Sequence, residues 1–261
     1  VNNLSSEVHI AACLKSLQAY DLGEQLFIRP RGLFASGDEV EVPSKGSIVG
    51  EGLISFSGNL TGINRSDAQN AYQYATLVAN KQFPLEHQGK EWYAQFRKVM
   101  GEIGWAETSK YFNDLDVSGT SVRMDKLVLE ILASVVTGLA VPGPAAALML
   151  KTAGDAISAL QKRDTALTLY ESNLLKHGVG GISAGSCIDV NGASVFAIGT
   201  VRFLRENSSR KVLFVDVDVR NVNLYRGESV FEKNDLQAAA TRELIASKLV
   251  KYSTDKLDYD I

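Results

Sequence analysis

Residues 121–163 read SVRMDKLVLEILASVVTGLAVPGPAAALMLKTAGDAISALQKR. The run from Ile131 to Leu150 carries no charge and is long enough to cross a bilayer if it forms a single helix. Pro142, Gly143 and Pro144 interrupt it. Proline removes a backbone donor and clashes with the preceding turn, whereas Pro144 suits the first turn of a new helix, so the stretch predicts a helical hairpin. The first arm carries Leu127, Val128, Ile131, Leu132, Val135, Val136 and Leu139. The second carries Leu148, Met149, Ala153, Ala156, Ile157 and Leu160, with Lys151 and Asp155 four apart on its other face and Lys162 and Arg163 at the end that favours cations. Each arm needs an apolar surface to cover.

Downstream, the pattern turns toward period two. Thr165 to Leu175 reads as a strand, the glycine-rich passage Gly178 to Gly185 as a flexible turn, and Ala193 to Leu204 and Lys211 to Tyr225 as two long strands joined by Glu206, Asn207, Ser208 and Ser209. In the second of these, Leu213, Val215, Val217 and Val219 point one way, and Asp216 and Asp218 the other. Asn234 with Gln237 opens a last helix through Leu236, Ala240, Leu244 and Leu249, and the polar tail from Tyr252 is expected to fray.

Upstream, Ile10, Cys13, Leu14 and Leu17, flanked by Val8, Ala11 and Ala12, form the stripe of a first helix that ends near Gly23. Short β-rich pieces follow at Leu26 to Arg29, Glu39 to Val42 and Ile48 to Ser57. Asp67 is placed to cap a helix through Ala68, Ala71, Tyr72, Ala75, Val78 and Ala79 that Pro84 ends. Trp92, Phe96, Val99, Met100 and Ile103 mark its partner helix, and a strand-like link runs from Lys110 to Val117. The expected fold class is α/β (α+β): a single three-layer domain over residues 1–261, an antiparallel sheet flanked by two helical hairpins, with an additional N-terminal helix at 1–23 and a frayed tail at 252–261.

A formal charge of −3 without basic blocks gives no electrostatic case for nucleic acid. Cys13 and Cys187 fit neither a metal pattern nor a disulfide framework, and His9, His87 and His177 lack ligand spacing, so neither metal nor other cofactor is expected. Gly181, Ile182, Ser183, Ala184 and Gly185 spell G-x-S-x-G. The helix that should follow a nucleophile elbow is missing, and no histidine follows His177, so a serine hydrolase using Ser183 is a minor alternative to a non-enzymatic protein. No positively charged segment followed by an apolar stretch opens the chain, so release as a soluble protein without such a signal is expected.

The order of elements, the stretch from Met124 to Val136, and the strands Ala193 to Leu204 and Lys211 to Tyr225 with their Asp189, Val190, Asn191, Gly192 entry resemble the Cyt-type cytolytic δ-endotoxins and the related volvatoxin-like cytolysins. The resemblance implies a secreted virulence toxin that binds phospholipid and permeabilises target membranes by conformational change, either through a self-oligomeric pore or through disruption of the bilayer. It implies membrane contact by Val195, Ala197, Val201, Phe203, Leu213, Val215, Val217 and Val219, with Asp216, Asp218, Arg202 and Arg220 turned to water. It also implies a movable helical hairpin anchored by Leu127, Ile131, Val135, Leu148 and Ile157. A non-lytic binding module of the same fold is the alternative.

Overall fold

A computed structural model describes residues 2–24, 44–115, 121–138, 141–176, 179–204, 213–218 and 224–261. In chain order the elements are α1 (Asn2–Ala19), β1 (Lys45–Val49), β2 (Gly52–Phe56), α2 (Gly62–Gln82), α3 (Gly89–Ile103), β3 (Trp105–Asp114), β4 (Ser121–Arg123), α4 (Met124–Gly138), α5 (Gly143–Gln161), α6 (Asp164–Lys176), β5 (Val179–Val190), β6 (Ala193–Leu204), β7 (Asp216–Asp218), β8 (Leu224–Lys233), α7 (Asp235–Leu249) and β9 (Lys256–Asp260). Seven strands form one sheet in the order β3-β8-β6-β5-β2-β1-β9, and β4 pairs with β7 in a separate two-stranded ribbon. The large sheet is mixed rather than wholly antiparallel, because β2 runs parallel to β5.

Local chemistry explains the main boundaries. Pro142 stands at the start of α5 and Pro144 lies in its first turn, so the two arms separate where the sequence predicts. Helix α2 starts earlier than predicted: the cap is Thr61, whose hydroxyl accepts from the Asn64 amide, and Asp67 lies buried on the helix face instead. Gly104 ends α3 in the left-handed conformation, and a Cβ there would fall 2.6 Å from the Ala238 amide. Asn234 caps α7 by accepting from the Gln237 amide.

Several expectations change. Thr165 to Leu175 is helical within α6, because Ala166, Leu169, Tyr170 and Leu174 bury one side at helical spacing. Gly180 to Gly185 lies inside β5, and Asn191 and Gly192, both at positive φ, make the two-residue turn into β6. Within Lys211 to Tyr225, residues 213–215 are not strand, Asp216–Asp218 pairs with β4 among the described residues, and Leu224 opens β8. The chain beyond Tyr252 ends in β9, paired along its length with β1. Val8, Ala11, Ala12 and Leu236 face solvent, so the inner stripes of α1 and α7 run through Cys13 and Leu17, and through Ala238, Thr241, Ile245 and Leu249. The pieces Leu26 to Arg29 and Glu39 to Val42 lie outside the described residues.

Each face of the sheet has its own core. Ile48, Leu53, Ile182, Ala184, Ile188, Ala197, Val201 and Val230 pack under α4, α5 and α6. Val49, Ile54, Phe56, Cys187, Phe196, Ile198 and Phe231 pack under α1, α2, α3 and α7.

Candidate functional site

The two helical covers differ in how they are held. On the face under α2, α3 and α7, charged and hydroxyl groups cross the interface. Asp67 of α2 accepts from Lys233 Nζ of β8 at 3.2 Å and from Arg242 of α7 at 2.8 Å through two nitrogens. Arg97 of α3 pairs with Glu107 of β3, which also accepts from Ser229 Oγ at 2.9 Å, and Ser229 in turn bonds the Tyr93 hydroxyl at 2.7 Å. The Glu107 carboxylate, bonded to Arg97, raises the pKa of that guanidinium. Gln237 and Thr241 of α7 donate to the carbonyls that end α3.

The same face holds a buried cation. Arg202 of β6 lies with its guanidinium 4.1 Å over the Trp92 ring, and its Nε and Nη1 have no hydrogen-bond partner among the described residues. Burial lowers its pKa, while Glu51 and Tyr72 act in the opposite direction. Trp92 donates to Asn80, and Asn80 to Glu51, which brings the carboxylate toward Gly181. A Cβ at Gly181 would meet Glu51 Oε2 at 2.8 Å and Arg202 Nη1 at 3.3 Å, so glycine is what lets these two side chains converge there. Ser183 stands in mid-strand in this neighbourhood, buried and bonded to the Thr200 hydroxyl at 2.9 Å. It is not at a strand-to-helix elbow, so the G-x-S-x-G pattern does not build a nucleophile.

Under α4 and α5 the contact is made of hydrocarbon. Val128, Ile131, Leu132, Val135 and Val136 of α4, and Met149, Ala153, Ile157 and Leu160 of α5, lie in one apolar cluster with the sheet. Gly199 of β6 admits α4 closely: a Cβ there would fall 2.8 Å from the Leu132 amide nitrogen. The polar ties are few among the described residues. Ser134 meets Arg226 at 3.1 Å and Glu228 at 3.5 Å on β8, and the Asp125 amide donates to the Leu213 carbonyl at the foot of α4. Tyr259 and Asp260 of β9 touch the second arm.

Val195, Ala197 and Val201 of β6 belong to this hairpin face, and Phe203 pairs with Leu224 of β8 in the register. Leu213, Val215 and Val217 do not belong to the long strands. Leu213 is buried beside the start of α4, Val215 is exposed, and Val217 pairs with Val122 in the ribbon. Val219 and Arg220 lie outside the described residues. Arg202 sits on the opposite face, under α3, while Asp216 and Asp218 are exposed on β7. Of the hairpin residues, Leu127, Ile131, Val135 and Ile157 are buried, whereas Leu148 is 40% exposed because the inner side of α5 runs through Met149. Strand β5, with Ile182, Ala184 and Ile188 on the hairpin face, was hidden in the sequence by its glycines. The signal that could have found it is Asn191-Gly192, the residue pair favoured in two-residue hairpins.

No protein-family model and no curated protein matches the chain. Similar solved structures include a delta-endotoxin (9% identity over 81% of this chain and 91% of that one, TM-score 0.37). Others are the activated Cyt2Ba monomer from Bacillus thuringiensis subsp. israelensis (13%, 70% and 97%, TM-score 0.38) and the Evf virulence factor (12%, 78% and 84%, TM-score 0.30). The likeness is a coarse and distant one to toxin folds. Among the described residues no helix is long and apolar enough to cross a membrane, and no group of three or more His, Cys, Asp or Glu side chains is arranged to hold a metal ion.

Proposed function

We propose that this protein is a membrane-active toxin of the cytolysin type, which binds phospholipid and permeabilises it by conformational change rather than catalysis. The observation that carries the reading is the unequal attachment of the two covers. The α4–α5 hairpin is held to β5 and β6 chiefly by apolar contact, which lipid chains can replace. The opposite cover is fastened to the sheet by the buried Asp67–Lys233 pair, which lipid cannot satisfy.

In this account the hairpin swings away, and Ile182, Ala184, Ile188, Val195, Ala197, Val201 and Phe203 meet the bilayer. Strands β5 and β6 have 12 residues each, more than the roughly 9–11 a tilted membrane strand needs. Strand β8 carries Arg226 and Glu228 beneath the hairpin, which confines the lipid-facing surface to β5 and β6. A spanning sheet must close to satisfy its backbone, so copies of the chain assemble on the membrane.

The test is dye release from phosphatidylcholine vesicles at rising protein concentration. Release that steepens with concentration supports an assembled pore. Neither release nor vesicle binding, followed by tryptophan fluorescence, would contradict the reading and favour the non-lytic binding module.

A further inference from the structure

Strand β9 closes one edge of the sheet and touches both covers. Tyr259 is the cross-strand partner of Gly46 in β1, and its ring occupies the space above that glycine: a Cβ on residue 46 would fall 2.5 Å from the ring. From there the Tyr259 hydroxyl donates to the Ala156 carbonyl of α5 at 3.1 Å. The next residue, Asp260, offers its carbonyl to Arg163 Nη2, just past the end of the arm, at 3.0 Å. Among the described residues, these are the hydrogen bonds that join the second arm to the sheet, and β9 makes both. Leu257 and Ile261 add apolar contact on the same side. Facing the other way, Asp258 accepts from Gln69 at 2.7 Å, and Lys256 donates to Asn70, both on α2.

We infer that β9 is a strap: its pairing with β1 keeps the α4–α5 hairpin closed, and peeling it from β1 is the step that frees α5. Three features make β9 the element that yields first. It is five residues long, it lies at the edge with one neighbour among the described residues, and its ring has a seat only because residue 46 is glycine. Loss of β9 leaves α2 tied through Asp67 to β8 and α7, whereas α5 loses its hydrogen bond to Tyr259 and the junction after it loses the one made by Arg163. The biological meaning of the strap rests on the membrane-active reading; its mechanical role does not.

The experiment is amide hydrogen exchange on the full chain, followed element by element. In Gly46→Ala and Tyr259→Ala, the amides of α4 and α5 should exchange about tenfold faster or more, with α3 and α7 unchanged. Tyr259→Phe keeps the ring and loses the hydroxyl, so its smaller increase should be confined to α5. Arg163→Gln alters an exposed side chain without disturbing the core, and should loosen the end of α5 even if the Gly46 variant fails to fold. Unchanged exchange in α4 and α5 would overturn the strap, as would an equal rise throughout the sheet, α2 and α3. Faster hairpin exchange without vesicle release would uphold the strap and count against the lytic reading.

Discussion

Where α2 and α3 meet the sheet, a carboxylate, a guanidinium group and a hydroxyl reach across the boundary; where α4 and α5 meet it, the contact is chiefly between methyl groups. The fixed cover also buries most of the large aromatic side chains, among them Trp92, Tyr72, Tyr93, Phe96 and Phe231, so the two covers differ in packing as well as in polar attachment. Apolar burial is non-directional and scales with the area removed from water, and a hydrocarbon phase can take the place of the partner surface. A buried ion pair has no such substitute. Separating Asp67 from Lys233 and Arg242 leaves a carboxylate that is 6% exposed without its cations, which in the proposed mechanism holds that cover on the sheet. The proposed mechanism takes the hairpin as its moving part because of this contrast in attachment.

The most severe way to break this contrast is to remove the central anion of the fixed cover. Asp67→Ala removes a carboxylate shared by Lys233 and Arg242, and because Lys233, whose side chain is 3% exposed, keeps Asp235 at 2.9 Å and the Asn64 amide oxygen, the change should cost about 1.5–3 kcal/mol in urea unfolding. A cost near zero would mean that the network does not fasten α2, and the distinction between the covers would fail.

A gentler probe uses Lys256, on the α2 side of β9. Burial pushes its pKa down to about 8, only partly opposed by Asp258. The unfolded chain therefore holds this proton at a pH where the folded chain has released it, so the lysine's contribution to stability rises with pH above about 8 until the unfolded lysine titrates. Between pH 8 and 9.5 the gain should be about 1 kcal/mol, and Lys256→Met should flatten it. A wild-type profile equally flat would show that Lys256 is not held in a dry site.

The hairpin at the centre of the account was readable because its cause is local. Pro142, Gly143 and Pro144 break a run whose apolar residues already keep helical spacing. The Asn234 cap was readable for the same reason. Strand β5 was not, because its glycines answer to tertiary neighbours: Gly185 makes room for the Phe196 ring, and Gly181 for Glu51 and Arg202. The alternation from Leu213 to Val217 is real, but Leu213 and Val215 lie in a turn before β7, so the alternation does not mark the start of a strand. The fixed cover was invisible for a further reason. Asp67 meets residues more than 160 positions away, and nothing in its surroundings along the chain distinguishes an ion-pair centre from a helix cap.

The most direct test of the central claim is vesicle dye release by a protein whose hairpin is tethered to the sheet. Ser134 Oγ on α4 lies 3.5 Å from Glu228 Oε2 on β8, which brings the hairpin and the sheet within reach of a reducible tether in the double variant Ser134→Cys and Glu228→Cys without adding a Cβ at Gly199. The account predicts that the oxidised protein stays folded and releases nothing, and that reduction restores release. Full release by the oxidised protein would contradict it.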